Sequence, residues 1–129
     1  MSVEEIVTAY HAAMLHKSPD ELADLYAEDG LHEFPFGAAP PFQGREEVRR
    51  GYHAMWDATP FEIDEVCRVA VHRTEDPQVV VVEQTVHGTV AGRHLTVPSL
   101  LVLRVGDGGI VHTRDYMDTS AIARIHEAA

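Results

Sequence analysis

From Phe61 onward the chain reads as four long β-rich runs in succession, and nothing else in it limits the possible folds so much. The runs lie at about 61 to 73, 78 to 90, 93 to 105 and 110 to 117, and they are parted by Asp76-Pro77, Ala91-Gly92 and Gly106-Asp107-Gly108-Gly109. Long strands joined by such short, turn-forming connections predict an antiparallel meander.

The first half has a different period. Ser2 and Glu5 have the spacing of a capping box, and Val3, Ile6, Val7, Tyr10, Ala13 and Met14 recur at helical intervals, which predicts a helix over 3 to 16. Ser18-Pro19-Asp20-Glu21 starts a second helix, with a serine cap and proline in its first position. Leu22, Leu25 and Tyr26 form its expected apolar side and Gly30 its end, followed by a short strand from Leu31 to Phe36. The loop Gly37 to Gly44 then leads into a third helix with Val48, Tyr52, Met55 and Trp56 on one side. Thr119 or Ser120 is expected to cap a last helical turn through Ile122 and Ile125. Helices first and a curved sheet afterwards make an α+β class, with the helices on one sheet face. No linker or internal repeat interrupts the order, so one domain over 1–129 is expected.

Composition excludes several partners. Ten Lys and Arg against 21 Asp and Glu give a formal charge of -11, which repels phosphate backbones and anionic lipid surfaces alike. The N-terminus has neither a basic segment nor a continuous apolar run, and the longest aliphatic stretch, Val79 to Val82, is too short to cross a bilayer. Cys67 has no partner for an internal disulfide, which fits a reducing cytoplasm. The nine histidines show no His-x-His or HExxH spacing, and no glycine-rich phosphate loop occurs, so neither metal nor cofactor is expected.

Two strings resemble a known family. Gly109-Ile110-Val111-His112-Thr113-Arg114-Asp115-Tyr116-Met117-Asp118 is similar to the GKIxxWRDYFD ending of limonene epoxide hydrolase and to that of phenazine-biosynthesis proteins. HEFPFGAAPPFQGREEVRRGY resembles the strand, proline loop and helix entry of the epoxide hydrolase and of ketosteroid isomerase. With the order of elements, these strings make nearly the whole chain resemble the SnoaL-like members of the nuclear transport factor 2-like superfamily. The resemblance implies a cone-shaped antiparallel sheet wrapped around N-terminal helices, with a deep pocket between them. Relatives perform isomerisation, aldol cyclisation, dehydration and epoxide opening in that pocket, so fold alone selects no reaction.

Strand parity divides the last strand into two faces. His112, Arg114, Tyr116 and Asp118 form the polar set, which pattern alone would assign to a water-filled site. Thr113, Asp115 and Met117 form the other, and the resemblance assigns the pocket to these, because the catalytic acid of the epoxide hydrolase matches Asp115. A carboxylate in apolar surroundings has its charged form disfavoured, which suits it to proton transfer near neutral pH. Asp115 is therefore the catalytic candidate, against a plain arginine-paired carboxylate at the sheet surface. Tyr10 matches the oxyanion-binding tyrosine of ketosteroid isomerase, and its spacing equally fits a core residue. Gln84 is the one polar group in the stripe Val80, Val82, Gln84, Val86, so it orients a ligand or Asp115, or satisfies backbone groups. Ser99 and Leu101 match positions of acid or base partners in relatives, and Phe34 and Phe36 replace the relatives' polar first-strand residues. His32 shares their parity.

Together these imply a cofactor-independent enzyme acting on a hydrophobic, carbonyl-containing small molecule, of the polyketide-cyclase, isomerase or dehydratase kind. Asp115 would move the proton, with Tyr10, Gln84 and Ser99 orienting the substrate and His32, Phe34, Phe36, Trp56, Leu101 and Met117 lining the pocket. A single acid is thin catalytic equipment, so a non-catalytic ligand-binding or dimerising module is the rival. An epoxide hydrolase with an altered triad is the other alternative, since Val82 and Gln84 stand where that enzyme has its arginine and second aspartate. The family also implies a homodimer through the outer sheet face, where His94, Thr96, Leu100, Val102 and Arg104 alternate.

Overall fold

The computed structural model describes residues 1–129. Helix α1 (Val3–His16) begins at the expected capping box: Ser2 Oγ accepts from the Glu5 amide, and the Glu5 carboxylate accepts from the Ser2 amide. Its end is a left-handed Lys17, φ 46°. Helix α2 (Pro19–Ala23) is capped by Ser18 as expected but is only one turn long. Tyr26 and Gly30, predicted as its apolar side and its terminator, belong instead to strand β1 (Tyr26–Glu33). Ala-Glu-Asp-Gly in the middle of that strand is poor β-forming sequence. Pairing overrides it, because β1 lies parallel to the last strand and the Ile110 amide donates to the Leu25 carbonyl at 2.8 Å.

A two-residue strand β2 (Phe42–Gln43), inside the predicted loop, adds to the free edge of β1. Helix α3 (Arg45–Ala58) follows. The meander then appears as β3 (Glu62–Arg73), β4 (Val79–Val90), β5 (Arg93–Gly106) and β6 (Gly109–Met117). Its consecutive strands are antiparallel, and the six strands run in the order β2-β1-β6-β5-β4-β3. The sheet is thus mixed at one seam, where the implied antiparallel cone has a parallel β1–β6 pair. The terminal helix α4 (Thr119–Ala128) runs beyond the single turn expected, and its cap is Asp118, whose Oδ1 accepts from the amides of Ser120 and Ala121. No helix is long and apolar enough to cross a membrane.

Helices α1, α2 and α3 cover the concave sheet face. Alternate β4 residues, Val80, Val82, Gln84 and Val86, are buried there, as are Leu101 and Leu103 of β5 and Thr113 and Asp115 of β6. The apolar interior divides in two. A large cluster joins Ile6, Val7, Tyr10, Leu22, Val48 and Tyr52 to the sheet, and a small one gathers Phe61, Val86, Val90 and Val97 beneath Ala121 and Ile125 of α4. The candidate site lies where these two clusters meet.

Candidate active site

Asp115 is 5 % exposed on the concave face, so the parity taken from the resemblance is the one the fold adopts. Its Oδ2 receives the Tyr52 hydroxyl at 3.1 Å and faces His32 Nε2 at 3.2 Å. Behind His32, its Nδ1 lies 2.6 Å from the Tyr26 hydroxyl, which in turn lies 2.8 Å from Thr113 Oγ1. One proton assignment satisfies every member. Thr113 donates to Tyr26, Tyr26 to His32 Nδ1, and the Nε2–H of His32 is shared between Asp115 Oδ2 and the Tyr52 oxygen 3.0 Å away, while the Tyr52 proton supplies the second bond to Oδ2. All the donors converge on one oxygen, which leaves Oδ1 without a protein partner on the cavity side.

Tyr10 also lines the cavity, and its hydroxyl is buried beside those of Tyr26 and Tyr52. That hydroxyl is the one fully buried side-chain polar atom without a hydrogen bond. Burial pushes the hydroxyls of Tyr10, Tyr26 and Tyr52 well above their ordinary range, and the nearby Asp115 carboxylate adds to the effect. All three therefore stay protonated at neutral pH and act as donors. An unpaired buried hydroxyl costs about 1–3 kcal/mol, so Tyr10→Phe is expected to raise stability by about 1 kcal/mol while removing the donor. Urea unfolding of the two proteins measures this, and a Tyr10→Phe variant less stable than the parent would mean that the hydroxyl has a partner in solution.

The cavity holds about 270 Å³ and is mainly apolar, with Met14, Met55, Trp56, Phe61, Val97 and Met117 among its walls. Beside Asp115 on the same sheet face is a second polar group. His11 Nε2 lies 2.7 Å from Gln84 Oε1, and Gln84 Nε2 donates to Ser99 Oγ at 2.9 Å and approaches Met14 Sδ at 3.6 Å. Lys17 and His126 stand on the wall as well. Lys17 is tied down, since Nζ donates to the carbonyls of Thr59 and Phe61 at 3.0 Å each.

Of the residues singled out from sequence, Asp115, Tyr10, Gln84, Ser99, Trp56 and Met117 line this cavity. Four do not, and their expected substrate contact is corrected. Phe36 is 65 % exposed and lies edge-on to Tyr116, because the Phe34 carbonyl accepts from the Gly37 amide and the Pro35-Phe36 turn ends the strand alternation. His32 is fully buried one layer behind Asp115, so it positions the carboxylate. Phe34 packs on the His32 ring, centroids 4.8 Å apart, and Leu101 is sealed in the large cluster. Sequence reading missed Tyr26 and Tyr52 as site residues. Tyr52 was visible only as an apolar helix position, and the proximity of His32 to Asp115 spans 83 residues of chain. Cross-strand pairing also gathers Glu65, Cys67 and His87 within 4.8 Å of one another outside the cavity, a group that could hold a metal ion and that no sequence spacing revealed.

The family model of the SnoaL-like domain matches residues 7–113. No curated protein matches the chain. Among solved structures, a hypothetical protein with a ketosteroid isomerase-like fold from Catenulispora acidiphila, in complex with trimethylamine, is similar at 26% identity and TM-score 0.79, covering 100% of this chain and 96% of that one. An isomerase candidate from Bacillus subtilis is similar at 22% identity and TM-score 0.84, covering 97% and 92%. A polyketide cyclase candidate from Pseudomonas putida shares 20% identity at TM-score 0.75, covering 100% and 99%.

Proposed function

Because this chain belongs to the SnoaL-like domain family, we propose that it is a cofactor-independent acid/base enzyme acting on a hydrophobic, carbonyl-containing small molecule, of the polyketide-cyclase, isomerase or dehydratase kind. The observation that carries the reading is the division of labour at Asp115. Oδ2 is held by Tyr52 and His32, while Oδ1 faces an apolar cavity whose wall includes Tyr10, the residue with the one buried hydroxyl that has no hydrogen bond. A substrate carbonyl accepting from Tyr10 would place its α-hydrogen within reach of Oδ1. The carboxylate takes that proton, the C–H pair becomes the enolate π bond, and the charge arriving on oxygen is met by the hydroxyl of Tyr10. Returned to a different carbon, the proton completes an isomerisation, and protonation of a β-oxygen leaving group completes a dehydration. Attack of the enolate on a second carbonyl closes a ring.

The test is deuterium exchange at the α-carbon of cyclic ketones in D2O, followed by proton NMR. Exchange well above the buffer rate is expected. Ligand binding without exchange would favour the rival reading, a non-catalytic binding module, which is supported by Asp115 being the one carboxylate on the wall.

We also propose a homodimer through the outer sheet face, where Val81 pairs with Val102 and Leu100 with Tyr116, all half-buried in the single chain. Light scattering should give twice the chain mass of 14.3 kDa, and Leu100→Asp should return it to one chain. A monomer mass for the parent protein overturns this.

A further inference from the structure

The donors and acceptors of the polar group beside Asp115 determine what that part of the wall can bind. Met14 Sδ can only accept, and it lies 3.6 Å from the Gln84 amide nitrogen, so the NH2 end of that amide faces Met14 and Ser99. The oxygen end then faces His11, whose Nε2 must carry a hydrogen to bond it at 2.7 Å. Ser99 Oγ is thereby an acceptor from Gln84, and its own proton has no partner in the protein. Ser99 lines the cavity, so that proton is offered to whatever occupies it.

The cavity therefore presents one unspent donor, Ser99, and one free carboxylate oxygen on Asp115. The register fixes their spacing on the sheet. Asp115 pairs with Leu101 and Ser99 pairs with Met117, so Asp115 and Ser99 are diagonal neighbours on adjacent strands, roughly 7–8 Å apart along the backbone. Apolar side chains surround both.

We propose that the substrate carries two acceptor oxygens on one hydrophobic body, the reacting carbonyl beside Asp115 and a second carbonyl or ether oxygen read by Ser99. This rests on the acid/base reading of the same cavity and narrows its substrate class to dioxygenated hydrophobic compounds. Gln84 and His11 are positioning residues here, since they fix which way the hydroxyl of Ser99 donates.

The probe is a matched pair of ligands, a methyl-substituted bicyclic enone and the diketone that differs from it only by a second carbonyl on the far ring. Isothermal titration of the full chain should show the diketone binding about tenfold more tightly. In Ser99→Ala the preference should fall to about twofold or less, with affinity for the single ketone unchanged; Asp115→Asn should keep the preference intact. Equal affinity of the parent protein for the two ligands, no binding of either, or a preference that survives Ser99→Ala overturns the proposal. The deuterium-exchange assay separates the two readings: a Ser99-dependent preference without α-exchange leaves the second oxygen site standing and removes the acid/base reading.

Discussion

Asp115→Asn is expected to lower α-proton exchange by a factor of about 10³ while leaving the folded protein and its ligand affinity nearly unchanged. The asparagine amide has the carboxylate's shape, and its oxygen can still accept from Tyr52 and from His32, so the pairing at Oδ2 survives. What it lacks is a basic lone pair in the position of Oδ1. Asp115→Ala should behave differently. It strands the buried Tyr52 hydroxyl proton, worth about 1–3 kcal/mol when left unsatisfied, and leaves His32 Nε2 only the Tyr52 oxygen at 3.0 Å, so it should lower stability as well as activity. NMR exchange rates, titration calorimetry and urea unfolding on the two variants separate the effects. Full activity in Asp115→Asn would remove the carboxylate from the chemistry, whereas loss of ligand affinity in it would make Asp115 a binding group. The pH profile gives a further check. Tyr10 and Tyr52 are held protonated well beyond their ordinary range by burial, so the rate should show no alkaline loss from tyrosine ionisation below about pH 10.

The part of this site readable from sequence was the part set by local periodicity. Alternation along β4 put Gln84 in the buried stripe and helical spacing put Tyr10 among the inward positions of α1, whereas on β6 alternation alone favoured the face of His112 and only the family resemblance selected Asp115. The relay behind Asp115 was not readable, because it depends on a parallel pairing between the first long strand and the last. Tyr26 and His32 reach Asp115 only after Ile110 docks on Leu25, and Ala27-Glu28-Asp29-Gly30 carries no local preference that announces a strand. Phe36 is the opposite case. Its exit from the sheet was legible in Pro35 and Gly37, which form a turn with Gly37 at φ 80°, yet continuing the alternation past proline assigned it to the pocket. At the last helix three adjacent polar residues compete to cap, and Asp118 prevails because its carboxylate accepts from two amides at once.

That dependence on one strand junction makes Gly109→Ala the second large effect. Gly109 sits at φ 116°, and a β-carbon there would stand 2.5 Å from the Leu25 carbonyl oxygen and 3.2 Å from the Ala27 amide nitrogen. Both contacts are backbone, so relief requires β1 to move away from β6. Strain and displacement together should cost about 2–4 kcal/mol, a fall in Tm of roughly 10 °C. Gly92→Ala is the matched control, with φ 77° but nothing within 4 Å of the added carbon, so it carries backbone strain alone, about 1 kcal/mol. The difference between the two variants isolates the close approach of the strands. Activity should report the same junction in another way. If β1 shifts on β6, His32 leaves Asp115 Oδ2, and α-exchange in the folded fraction of Gly109→Ala should drop by about tenfold or more, whereas Gly92→Ala keeps the parent rate. Equal melting temperatures for the two variants would show that the strands have room at the junction, and an unaltered exchange rate in Gly109→Ala would show that Asp115 works without His32 behind it.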